Sequence, residues 1–267
     1  MMVNFPAMTK GVMQAFCDET GNHAGARTTG VGGYLFTPEK ATVFYEKWRD
    51  VLSPLQSRGI THLHAANCSA ADREFGNLKD AERMALFHDC ADLVQQTAEL
   101  GIIAELERHE YRAWIASNPS ISRLVGSEFA VGCVECLSYF AKWVREHRPD
   151  ETIVYTFETG NKSYMDEVSA IMNAVAANPK TKEFFRFETY GFGSKGLTHP
   201  LEAADLLLWT HQCLEADHRK LPVYVGISRR GLFYKSKVAH RLICLNGTSL
   251  TFRAVFNESH GLRSGSR

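Results

Sequence analysis

An α/β domain is the fold class this sequence predicts. Three observations carry the prediction. Short β-branched or apolar runs alternate with long stretches of helical periodicity, and no repeat or low-complexity linker interrupts them. A chain of 267 residues, 45% hydrophobic, is long and apolar enough to bury a substantial core. Its 22% charged content and four tryptophans fit a globular protein, not a disordered one.

The elements follow in order. "GVMQAF", ahead of Cys17, has the length and composition of a half-buried strand, and "TGVGGYLF" (29–36) reads as its neighbour across a Gly/Asn loop. Pro38 in a first-turn position opens the helix "PEKATVFYEKWRDVL". "THLHAANC" (61–68) is expected as a short strand or extended segment. The stretch 79–100 carries a helical stripe of Met84, Leu86, Phe87, Cys90, Leu93 and Val94, with Gly101 as its stop. "IIAEL" (102–106) is a strand, two helical stretches surround "NPS" (118–120), and "TIVYTFE" (152–158) alternates as a strand. A helix at 163–176, a strand at 183–190, a loop "GFGSKGLTHP" and a helix at 200–217 complete the reading.

Charge divides the chain. Residues 218–267 hold ten Lys/Arg against one acid, Glu258, whereas residues 1–217 hold twenty against twenty-nine. The expected organisation is therefore an acidic body, 1–217, and a basic C-terminal extension, 218–267, packed on the same domain. No window reaches the ~18 uninterrupted apolar residues of a membrane helix, and the N-terminal residues lack a secretory pattern. Seven cysteines without framework spacing imply reduced thiols, so a cytoplasmic location is expected.

Asp18 and Glu19 in "FCDETGN", Glu158 at the end of its strand, and Asp205 in the late helix stand where separate elements end or begin. Converging carboxylates can hold two divalent ions about 4 Å apart, which activate water and steady a leaving oxygen. Hard oxygen ligands suit Mg²⁺ or Mn²⁺. An ordinary turn acid, bonded to the amides of Thr20 or Gly21, would also explain Asp18, but not the acid beside it. Asp205 lies on an otherwise apolar helix face, where an unpaired charge is costly.

"FCDETGN", "IVYTFETGNKS" and "HPLEAADLLLW", in that order, resemble the bacterial and phage domain-of-unknown-function family numbered 3800, which is ribonuclease-H-like. The resemblance spans roughly residues 12–212. It implies a mixed sheet flanked by helices, with Asp18, Glu158 and Asp205 as catalytic metal ligands, Glu19 as a fourth, and phosphodiester bonds of nucleic acid as substrate. A non-catalytic binding module on the same sheet is the alternative. Glu158 stands where that family commonly has Asp, and Glu202 where it often has Gln. Glu202, in the first turn of its helix, also fits a structural role towards the exposed amides there.

Other candidates are simpler. His62 and His64 would share one strand face and suit a zinc pair or a substrate contact, with no third ligand identifiable. "CVEC" (133–136) has knuckle spacing inside a helix and reads as buried thiols. "GFGSKG" lacks the Walker pattern, but Lys195 can meet a phosphate as a point charge. Arg229, Arg230, Lys235 and Lys237 interleave with Phe233 and Tyr234, as a strand-tracking nucleic-acid contact would, or as a solvated edge strand would.

Overall fold

β1 (Val12–Thr20) shows why the sheet is central: Met13, Ala15 and Cys17 pack into one core, and Phe16 into another on the opposite face. The computed structural model describes residues 11–21, 25–118, 126–218, 238–246 and 249–256. Its strands β1, β2 (Thr28–Phe36), β3 (Leu100–Glu107), β4 (Thr152–Glu158), β5 (Phe187–Gly193), β6 (Val238–Asn246) and β7 (Ser249–Phe256) form an open mixed sheet of order β5-β4-β1-β2-β3-β6-β7. β1, β4 and β5 run parallel, β2 is antiparallel to both its neighbours, and β6 joins β3 in parallel. The fold is α/β, as the alternation of patterns predicts.

Helices cover both faces. α1 (Pro38–Leu52), α3 (Asp80–Thr97) and α8 (His199–His218) close one core around Phe36, Phe44, Trp48 and Phe87. α5 (Glu128–His147) and α6 (Lys162–Ala177) close the other around Leu137, Phe140, Tyr155 and Phe157. The shorter α2 (Ala65–Ala70), α4 (Arg108–Ser117) and α7 (Pro179–Phe184) complete the described α-helices, beside 3-10 turns at Ser53–Arg58 and Arg73–Asn77. Thr37 caps α1 through its hydroxyl, and Pro38 starts it, as the sequence indicates. No helix among the described residues is long and apolar enough to cross a membrane.

Several boundaries differ from the sequence reading, each for a local reason. β1 continues through the acids to Thr20, because Asp18 and Glu19 pair with Gly32 and Val31 of β2. Residues 61–64 are not a strand: His64 is extended but caps α2, its ring nitrogen facing the Asn67 amide. α3 stops at Thr97 and not at Gly101; Ala98 is already extended, and Glu99 donates its amide to the Leu35 carbonyl, which carries the chain into β3. The strand expected at 183–190 begins only at Phe187, since α7 occupies its start and Arg186 adopts a left-handed conformation that redirects the chain.

The sheet also explains the course of α8. A Cβ at Gly32 would lie 2.9 Å from Leu208 and from the Ile102 carbonyl, so glycine there lets the helix lie against β2. That approach brings Asp205 to the C-terminal edge of the sheet. β6 begins beside Gly101, at the opposite end of β3.

Candidate functional site

Glu158 ends β4, and Asp18 follows the last residue of β1 that pairs with it, Cys17 with Phe157. Side-chain alternation turns both carboxylates to the α8 face and Glu19 to the α6 face. Asp205, in the second turn of α8, comes to the same edge. Its Oδ2 accepts the Ala65 amide at the start of α2, at 2.7 Å. Asp18 Oδ1 accepts the neighbouring Glu19 amide at 2.7 Å, not the turn amides that an ordinary Asx turn would use.

One cation stands among them. Lys195 Nζ lies 2.8 Å from Glu158 Oε2, 3.1 Å from Asp18 Oδ2 and 3.1 Å from Asp205 Oδ1. The lysine comes from the loop between β5 and α8. Ser194 O accepts the amides of Leu197 and Thr198, and Gly196 is left-handed, φ +85°. His62 flanks this loop: a Cβ on Gly196 would meet it at 3.5 Å. His64 is committed to the α2 cap, so the histidine pair is not presented on one strand face.

The electrostatics are those of a crowded site. Burial drives the Asp18 carboxyl well above the usual range; the Lys195 ammonium opposes this, while a hydrogen bond with Glu158 and the neighbouring carboxylates add to it. Burial likewise raises Glu19 to about 7, helped by Glu158 and opposed by Lys195 and the nearby Tyr164 hydroxyl of α6. For Lys195, burial pulls the ammonium down, but the three carboxylates together outweigh it and hold it above the ordinary lysine value.

Two overlapping oxygen groups result. Asp18, Glu158 and Asp205 surround the ammonium, and Asp18, Glu19 and Glu158 offer oxygens within 4.8 Å of one another. Hard donors suit a magnesium-like ion, and the oxygens of Asp18, Glu19 and Glu158 are close enough together to share one. Neither a protein-family model nor a curated protein sequence matches this chain. The family resemblance therefore rests on the three motifs themselves.

Glu202 has a different task. Fully buried, it accepts four hydrogen bonds: from Trp48 Nε1 (2.8 Å), the Leu63 amide (2.7 Å), the Gly196 amide (3.0 Å) and His199 Nδ1 (2.7 Å). It is structural, but it ties the Lys195 loop, α1 and the 61–64 segment together and does not serve the first-turn amides of its own helix. Cys133 and Cys136 are buried in α5 beside Cys17, as thiols filling core space. A second buried polar contact, between His211 Nε2 and Glu105 Oε2 at 2.8 Å, joins α8 to β3; no spacing in the sequence pairs residues so far apart. Arg229, Arg230, Phe233, Tyr234, Lys235 and Lys237 lie outside the described residues.

Proposed function

We propose that this protein binds Mg²⁺ or Mn²⁺ at its acid edge and hydrolyses phosphodiester bonds of nucleic acid on a ribonuclease-H-like sheet. The observation that carries the reading is the gathering of Asp18, Glu158 and Asp205, from two strands and a helix, around a single cation. Those three would hold one ion, and Asp18, Glu19 and Glu158 a second. When bound, the ions supply water activation and charge neutralisation at the leaving oxygen. The protein's own part is to fix the oxygens: Asp205 through the Ala65 amide, Asp18 through the Glu19 amide, and both strand ends through the sheet. The basic residues Arg229, Arg230, Lys235 and Lys237 would hold the phosphate backbone.

A second reading has one observation in its favour. Lys195 already supplies a cation to the three acids, as it would in a non-catalytic nucleic-acid or protein-binding module on the same fold. Incubation with single- and double-stranded DNA and RNA, with and without Mg²⁺ or Mn²⁺, separates the two. Metal-dependent cleavage that falls at least about 100-fold in Asp18→Asn and Asp205→Asn, both still folded, supports the enzyme. Cleavage unchanged in both variants contradicts the site, and binding without cleavage favours the module.

A further inference from the structure

We infer that Lys195 is an exchangeable internal cation: it holds Asp18, Glu158 and Asp205 in their convergent arrangement, and an incoming divalent ion displaces it. The inference rests on the metal reading above and adds a regulatory step to it. Lys195 donates hydrogen bonds to Glu158 and Asp205 and lies 3.1 Å from Asp18 Oδ2 as an ion pair, so its ammonium sits inside the oxygen cradle and not beside it. A magnesium-like ion binds oxygens at about 2.1 Å. It and the ammonium cannot share that point. Without either cation the carboxylates would face one another across a few ångströms in a partly buried site, where repulsion is weakly screened.

The geometry separates what moves from what stays. The loop backbone is pinned, Gly196 donating its amide to buried Glu202 and Ser194 closing the turn to Leu197 and Thr198. The ammonium is attached only through four methylenes, so side-chain rotation alone releases it. It leaves still tethered to its loop, whose Gly196 lies beside His62. There its charge meets whatever anionic group approaches the ion, and a phosphate of the substrate replaces the carboxylates as its partner. Metal and substrate thus both draw on one lysine.

The test needs no activity. Mn²⁺ is titrated into wild type, Lys195→Met, Lys195→Arg and Asp205→Asn by calorimetry, with free Mn²⁺ followed by electron paramagnetic resonance. Lys195→Met should bind about tenfold tighter or more, since no internal cation competes; Lys195→Arg, which keeps the charge, should not tighten. In wild type, reductive methylation read by mass spectrometry should modify Lys195 several-fold faster with Mn²⁺ than without, a measurement that stands even where Lys195→Met fails to fold. Asp205-dependent Mn²⁺ binding with Lys195 labelled at the same rate in both states would overturn the exchange and leave the metal site intact. No Mn²⁺ uptake by wild type or Lys195→Met would overturn both.

Discussion

Glu202 and Asp205 are one turn apart on the same helix, and both carry a carboxylate into the interior. Their partners differ in kind. Glu202 is bound by four donors held in place by backbone or by packed side chains: two amides, an indole and an imidazole. Asp205 is bound by one amide and by the tip of a lysine. A buried charge whose donors are fixed is part of the framework. A cluster of charges balanced by one side-chain cation on four methylenes can trade that balance for another. The contrast separates a structural acid from a candidate ligand where sequence offers two similar letters three residues apart.

The largest effect expected from this contrast is on stability. Glu202→Ala should cost about 4 kcal/mol or more in chemical denaturation, because it strands four donors at once, two of them buried and two part-buried. Asp205→Asn should leave the metal-free protein within about 1 kcal/mol of wild type, or stabilise it, because it removes one of several like charges. Equal losses in the two variants would erase the distinction.

A middle-sized effect concerns pH. Glu19 titrates at about 7 in the fold against 4.5 for the open chain. The folded state therefore holds a proton that the unfolded chain gives up between those values. The stability it contributes is complete below about 4.5 and lost as pH rises through about 7. Asp18 is shifted in the same direction. Metal-free protein should melt at a higher temperature at pH 5.5 than at pH 8, and Glu19→Gln should reduce that slope. A melting temperature that rises over the same interval would place the excess charge elsewhere.

The smallest effect separates acids from histidines. Glu158→Gln should weaken Mn²⁺ binding about tenfold, whereas His62→Ala should leave it within about twofold, as measured by calorimetry. The reverse order would move the metal to His62.

Much of the candidate site was legible in sequence because acids at the ends of apolar runs are local features. Asp18 and Glu158 close apolar runs, and Asp205 interrupts an apolar helix face, so each could be marked without knowing its neighbours. The alternation of strand and helix patterns was equally local, and the α/β class followed from it. What was not legible depends on distance along the chain. Glu202 meets Trp48 and Leu63, 154 and 139 residues away. Lys195 stands in a Gly-rich loop whose letters mark it as mobile and basic, but nothing local shows that β5 and α8 carry it among three carboxylates. His62 and His64 misled in the opposite way: alternation puts them on one face only if the segment is a strand, and the helix that starts at Ala65 removes that condition.

The central claim is that the acid edge is a site of cation exchange, and uptake of Mn²⁺ near neutral pH by wild type and Asp18→Asn tests it most directly. Electron paramagnetic resonance of free Mn²⁺ gives stoichiometry and affinity in the same titration. The account predicts saturable uptake by wild type, with affinity at least about tenfold weaker in folded Asp18→Asn, since both oxygen groups share that residue. No uptake by wild type, or uptake that Asp18→Asn leaves unchanged, would contradict it.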